Sequence, residues 1–271
     1  MMIRIREAAV AGSFYPADAG ELRSTVQRLL DAVPLTSGPA PKAVVVPHAG
    51  YIYSGPTAAA AYARIRAHRD RYRTIVLIGP CHCVPFRGVA VSGAEAFRTP
   101  LGDVALDFGR ISTLAHPALA MLDAVHRYEH SLEVQLPFLQ SVLPSFRLVP
   151  LVVGDAEEEE VADVIDRLWG GPETLIVIST DLSHYLAYEE ARDVDRRTCR
   201  AVESLASAGI RQEQACGAIP LRGLLCAARR HALQPVTLDL RNSGDTAGDR
   251  EHVVGYGAWM FVEEESCQRA A

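Results

Sequence analysis

Three times in this chain a continuous apolar run stops at a small or cyclic residue and hands over to a histidine. Ala43-Val44-Val45-Val46 ends in Pro47-His48. Thr74-Ile75-Val76-Leu77-Ile78 ends in Gly79-Pro80-Cys81-His82, and Thr174-Leu175-Ile176-Val177-Ile178 ends in Ser179-Thr180-Asp181-Leu182-Ser183-His184. Short runs rich in β-branched residues, apolar at every position instead of every second one, read as strands covered on both faces. Arg147 to Gly154 is a fourth run of this kind. Helical patterns separate the runs, which points to an α/β fold: a single domain with a central, mainly parallel or mixed sheet flanked by helices. In such sheets the ligand crevice lies beyond the carboxyl ends of the strands. That is where His48, His82 and His184 fall.

Period and punctuation place the remaining elements. Asp18 can cap a helix from about Ala19 to Val33, whose Leu22, Val26, Leu29, Leu30 and Val33 form one apolar stripe. A second helix is expected from about Thr57 to His68, after a loop through Ser54-Gly55-Pro56. Gly88 to Ser92 reads as a short strand and Phe97 to Gly102 as a loop. A helix begins near Glu129, and Pro137 must stand at a helix start or make a kink. Glu157 to Glu160 opens a helix to about Trp169, with its carboxylates at the positive end. Tyr188 to Ser207 is a long charged helix, and a further helix lies within Cys216 to Ala232. Val236 to Leu240 and His252 to Val262 are the closing strands around a tight loop, Arg241 to Asp249.

The 271 residues are enough for one large domain with a sizeable core. Net charge is −6 and the basic residues form no stripe, so the electrostatic footprint of nucleic-acid binding is missing. No apolar stretch approaches the roughly 18 residues of a membrane span. The first residues lack the pattern of a secretion signal. The six cysteines, Cys81, Cys83, Cys199, Cys216, Cys226 and Cys267, include no CxxC pair and match no disulfide framework. A cytoplasmic protein with reduced thiols is expected, with neither nucleic acid nor membrane as partner. Cys81 and Cys83 flank His82, but adjacent side chains diverge, so both are expected to pack and not to share an ion.

At a common sheet edge His48, His82 and His184 can converge, and Asp245 in the closing loop can join them. Imidazole with carboxylate suits a first-row divalent ion. Two histidines and a carboxylate with open positions describe non-haem Fe(II) sites, and tetrahedral zinc can use the same donors. A histidine outside the ligand set can move protons near neutral pH. Asp181 would orient His184 or line the same pocket. Tyr51 and Tyr185 flank the pocket, each divided equally between a substrate contact and a core residue. His130 stands between Glu129 and Glu133, divided between a substrate-contact and a capping role, with Glu133 as a supporting carboxylate. His68, His116, His126, His231 and His252 default to surface or structural roles. No GxSxG, P-loop, HExxH or GxGxxG motif is present. Ser54 or Ser183 with a histidine would make a hydrolase, but no spacing supports it.

Six motifs stand in order: Ala11-Gly12-Ser13-Phe14-Tyr15-Pro16, Pro47-His48-Ala49-Gly50-Tyr51 with Ser54-Gly55, Gly79-Pro80 to His82, Thr99-Pro100-Leu101-Gly102, Glu129-His130-Ser131-Leu132-Glu133, and Ser179-Thr180-Asp181-Leu182-Ser183-His184. Through them the chain resembles prokaryotic members of the Memo family from about Arg6 to Phe261. The resemblance implies the fold of LigB-type class III extradiol dioxygenases, which cleave aromatic rings with Fe(II), two histidines, one carboxylate and a separate histidine base. It implies His48 and His82 as metal ligands and His184 as the counterpart of the base, or as a residue near the metal. The third ligand is where the chain departs from the family: vertebrate Memo has a cysteine in the loop before the last strand, and here that loop reads Ser243-Gly244-Asp245-Thr246, so either Asp245 fills the role or nothing does. The expected cofactor is a divalent metal, Fe(II) foremost, with Zn(II) or Cu as alternatives. The expected function is that of a metal-dependent oxidoreductase or dioxygenase acting on a small molecule. The alternatives are a binding module that uses the same pocket for a peptide or phosphate-bearing ligand, and a zinc hydrolase. A functional link to a radical-SAM protein is a further expectation from the genomic company of prokaryotic members.

Overall fold

The computed structural model describes residues 4–34 and 37–263; Cys267 lies outside them. In chain order the elements are β1 (Ile5–Arg6), α1 (Ala19–Asp31), β2 (Ala43–Val46), α2 (Tyr51–Ala67), β3 (Thr74–Pro80), β4 (Val89–Val91), β5 (Ala96–Thr99), β6 (Gly102–Ala105), α3 (Phe108–Thr113) and β7 (Leu119–Met121). The second half comprises α4 (Asp123–His126), α5 (His130–Glu133), α6 (Leu136–Val142), β8 (Arg147–Val153), α7 (Glu158–Arg167), β9 (Thr174–Ser179), β10 (His184–Leu186), α8 (Tyr188–Glu203), α9 (Ala218–Arg230), β11 (Leu233–Asn242) and β12 (Val253–Glu263).

The apolar runs form the centre of one mixed sheet, ordered β10-β12-β2-β9-β3-β8-β4-β7, with β11 also pairing with β12. The strands β2, β9, β3 and β8 are parallel neighbours, while β12 and β4 join them antiparallel. Every residue of β2, β3 and β9 is buried, as strands covered on both faces require. Helix α2 lies on β2 and β12 and packs with α1 and α6. Helix α9 lies on β3 and β9 and packs with α7, while α8 covers β11 and β12. A small separate sheet, β1-β5-β6, holds the N-terminal strand. Among the described residues no helix is long and apolar enough to cross a membrane.

Register brings the histidine loops to one edge. Val46 pairs with Ser179 and Ile78 with Ile178, so β2, β3 and β9 run out together. His48 and His82 follow at once. Capping matches the acidic patterns: Asp18 accepts from Glu21 N at 2.8 Å, and Glu157 with Glu160 forms a reciprocal capping box. Pro137 stands in the first turn of α6, where its missing N–H costs nothing, and the break before it makes α5 a separate short helix.

Three expectations are corrected. Helix α2 begins at Tyr51, not Thr57, and contains Pro56. Gly55 is there for packing: a Cβ would stand 2.8 Å from Leu29 Cδ1 on α1. Residues 97–102 form a hairpin, not a loop, because β5 and β6 pair from Ala96↔Ala105 to Thr99↔Gly102 and Gly102 adopts φ +119°. Cys83 is exposed and does not pack; all five described cysteines are free.

Candidate metal centre

The rings of His48, His82 and His130 meet beyond the ends of β2 and β3. Their centroids lie 5.3 Å apart for His48–His82, 5.3 Å for His48–His130 and 4.6 Å for His82–His130. Each offers one ring nitrogen, and these three atoms all lie within 4.8 Å of one another. His48 is buried, whereas the His82 and His130 side chains are 30% and 20% exposed, so the cluster is open on one side.

Hydrogen bonds fix which nitrogen carries the proton. Ser179 Oγ has three polar neighbours: Ser131 O at 2.6 Å, Gln135 Nε2 at 2.8 Å and His48 Nδ1 at 2.9 Å. Its one proton must go to the Ser131 carbonyl, and the Gln135 amide donates, since its other contact is the Pro47 carbonyl at 2.9 Å. His48 Nδ1 is therefore the donor, and Nε2 keeps its lone pair. His82 Nδ1 donates to Glu129 Oε1 at 2.9 Å and leaves its own Nε2 bare. His184 does the same through Leu182 O at 2.8 Å. Neutral imidazoles oriented by a carboxylate or carbonyl are the form in which histidine binds metal.

Electrostatics keep His48, His130 and His184 neutral. Burial, reinforced by the neighbouring histidines, holds His48 well below its ordinary pKa. Burial also lowers His130 and His184. Burial would raise Glu129, but its bonds to His82 and Ser131 outweigh that and bring it to about 2. Asp181 lies the other way. Burial lifts it to about 7 even though it accepts from the backbone N–H groups of His48 and Ala49.

Of the residues singled out from sequence, His48 and His82 come together, and His130 joins them. His184 stands at the start of β10, near enough for His82 to bear on its charge. Asp181 Oδ1 accepts from His48 N at 2.7 Å and Oδ2 lies 4.0 Å from His48 Nε2, so it supports His48 and not His184. Tyr185 is exposed beside the His184 ring, with a left-handed φ of 59°. Asp245 is not in the cluster. Its oxygens accept from the Tyr188 hydroxyl and Asn242 N, which turn it into a surface network. Tyr51 is a core residue that turns away from the histidines: it is 3% exposed, its hydroxyl donates to Val134 O at 2.7 Å, and it borders a separate cavity between α1 and α2.

Cys216 was missed by sequence reasoning. Its Sγ lies 3.3 Å from His48 Nε2 and 3.3 Å from Asp181 N. It comes from no strand end, and its one local signal is the following Gly217, where a Cβ would stand 2.7 Å from Thr180 Cβ. Only glycine lets this turn close on the end of β9. Burial pushes the Cys216 thiol up to about 12, with Asp181 adding to it. Cys216 also lines a cavity of about 210 Å³ with Cys81, Val84, Phe86, Asp155 and Ile219. A larger cavity, about 530 Å³, lies between α1, α2 and β11, away from the histidines.

The Memo-like protein family model matches residues 6–260. The chain belongs to the Memo family. This Memo-family chain is 38% identical to a MEMO1 family protein of Aquifex aeolicus, over 96% of its own length and 100% of the relative's. It is 36% identical to one of Methanopyrus kandleri, over 94% and 98%. Identity to one of Sulfolobus acidocaldarius is 33%, over 95% and 99%. Its fold is shared with the crystal structure of an uncharacterized protein, JW3007, from Escherichia coli K12. That likeness has a TM-score of 0.52 at 14% identity, covering 80% of this chain and 98% of the other.

Proposed function

We propose that this Memo-family protein is a metal-centred oxidoreductase acting on a small molecule, with non-haem iron(II) as the first candidate metal. The observation that carries the reading is the convergence of His48, His82 and His130, with Nδ1 of His48 and His82 engaged by hydrogen bonds on the outer side of each ring and His48 Nε2 facing Cys216 Sγ. The donors fit an ion. Cys216 Sγ and His48 Nε2 stand 3.3 Å apart, close to the roughly 3.5 Å between sulfur and nitrogen on one tetrahedral ion. Imidazole nitrogens with a thiol suit iron, zinc or copper, and the open side of the cluster leaves room for substrate.

In this reading His48, His82 and His130 hold the metal, and Cys216, which touches His48 Nε2 but lies outside the three-histidine group, would have to move toward the ion to join as a further donor. A bound ion would supply Lewis acidity and, if iron or copper, one-electron chemistry. Glu129 keeps the His82 ring in its binding tautomer, as Ser179 and Gln135 do for His48. His184 has a bare Nε2 and a lowered proton affinity, so it is suited to take a proton from a substrate at neutral pH. Asp181 can share a proton near pH 7 beside His48 and Cys216.

The test is metal content after anaerobic purification, for the wild type and for His48→Ala with His82→Ala. Near-stoichiometric iron lost in the double variant supports the reading. Stoichiometric zinc in its place moves the chemistry to hydrolysis. No ion in either protein, even after reconstitution with Fe(II) and Zn(II), overturns it and favours a pocket that binds a peptide or an anion.

A further inference from the structure

One motif has no part in the centre described above: Ala11-Gly12-Ser13-Phe14-Tyr15-Pro16, with the residues just before it. Its backbone and side chains converge on one buried carboxylate, Glu133, three residues after His130. Glu133 Oε2 accepts from Ala9 N at 2.8 Å and from the Arg6 guanidinium. Glu133 Oε1 accepts from Val10 N at 3.0 Å and from the Tyr15 hydroxyl at 2.5 Å. Four donors fill the four acceptor positions of a carboxylate, and all four come from residues 6–15. Arg6 ties the other side of His130 as well, donating to His126 O at 2.9 Å and Glu129 O at 2.6 Å.

The same segment reaches the His48 loop. Phe14 O accepts from Tyr51 N at 2.8 Å, three residues beyond His48. The Phe14 ring lies 4.8 Å from the His130 ring, tilted by 49°. His48 and His82 are oriented by short hydrogen bonds on Nδ1. For His130 the Glu129 oxygen is 3.5 Å from Nδ1, too long for a strong one. The ring of His130 is held by packing against three rings, Phe14, His82 and His48.

We propose that residues 6–15 are a strap that completes the metal centre, and that Glu133 is a positioning residue that fastens the strap so that Phe14 braces His130. The proposal rests on the metal-binding reading given above. A fold-only role would need the Glu133 cluster but would not need Phe14 to face a histidine. Through Phe14 alone the strap touches both loops, bonding the His48 loop at Tyr51 N and packing on the His130 ring; Ser179 of β9 also bridges the two, to the His48 ring and Ser131 O, but does not touch the His130 ring.

The experiment uses the full-length metal-free protein and three variants: Phe14→Leu, Tyr15→Phe and Glu133→Gln. Each is titrated with Co(II), with Zn(II) in competition, and its thermal unfolding is followed without metal. The expected result is Kd weakened about 10–100-fold in folded Phe14→Leu and Glu133→Gln, the range found when a residue supporting a ligand is lost. Variants that unfold earlier but bind with the wild-type Kd once folded would overturn the proposal. Should Glu133→Gln fail to fold, Phe14→Leu decides, since Phe14 is only partly buried. Should the wild type bind neither ion, the metal reading fails by itself. The strap is then judged from the ¹⁵N-histidine spectrum of the metal-free protein: a His130 ring resonance that shifts and broadens in Phe14→Leu supports it, and an unchanged one overturns it.

Discussion

Glu129 holds His82 with both of its oxygens: Oε1 accepts from the ring Nδ1 at 2.9 Å and Oε2 from the backbone N–H at 2.6 Å. The carboxylate is buried and fully ionised at neutral pH. It sets the ring's direction and its tautomer together. Glu129→Gln presents an amide that can donate to Nδ1 and so favours the tautomer with the proton on Nε2. Metal affinity is expected to fall about 10–100-fold, read by titration with Co(II). An unchanged Kd would show that His82 is not a ligand.

Cys216 makes a spectroscopic prediction. Coordination requires its thiolate, and a high proton affinity in the metal-free state means that binding should release a proton. A wild-type Co(II) complex is expected to show a sulfur-to-metal charge-transfer band in the near ultraviolet, absent in Cys216→Ser. Affinity for zinc should become less steeply dependent on pH in that variant. If the band persists in Cys216→Ser, the sulfur comes from elsewhere.

These two residues mark where the sequence could and could not be read. His48 and His82 were legible because each directly follows an apolar run, and parallel strands must end on one edge. Glu129 and His130 were legible only as neighbours, since the break at Pro137 separates α5 and its orientation depends on the N-terminal segment. Cys216 was not legible: it follows no strand and reaches His48 only because Gly217 packs on Thr180. Asp245 was misplaced for the converse reason. It lies in a loop between two strands, but Tyr188 from α8 claims its carboxylate. Tyr51 follows the His48 loop in sequence, yet the start of α2 turns it inward against Phe138 and Tyr15.

Asp195 gives a pH dependence of stability. It is 2% exposed on α8, accepts from Ser183 N at 3.1 Å, and burial raises it to about 6 from its ordinary 3.8. The folded protein thus binds this proton more tightly than the unfolded chain. The Asp195 contribution favours folding below pH 4, weakens from pH 4 to 6, and stays unfavourable above pH 6. Asp195→Asn is expected to be more stable than wild type at pH 7–8 by roughly 1–3 kcal/mol, with the difference vanishing near pH 4. Denaturant melts of both proteins at several pH values check it; a difference independent of pH would contradict this assignment.

Tyr185 combines an exposed ring with a left-handed backbone next to His184. A non-glycine residue there carries a strain of about 1 kcal/mol. Tyr185→Gly should therefore be stabilised by about 0.5–1 kcal/mol in thermal or denaturant unfolding. If the ring contacts substrate at the mouth of the centre, the same variant should bind substrate more weakly. Stability that rises without any change in binding would assign Tyr185 no part in recognition.

The strand order has a consequence for how the protein comes into being. β9 lies between β2 and β3, so the two strands that launch His48 and His82 touch neither each other nor their final positions until residues near 180 have joined the sheet. The contact between His48 and Cys216 spans 168 positions of chain. Pairings this distant form late and slowly. A growing chain emerging from the ribosome therefore passes most of its synthesis with its histidines scattered. In the metal-binding reading proposed above, an ion could be caught only by a finished sheet, and its uptake would report completion of folding instead of guiding it.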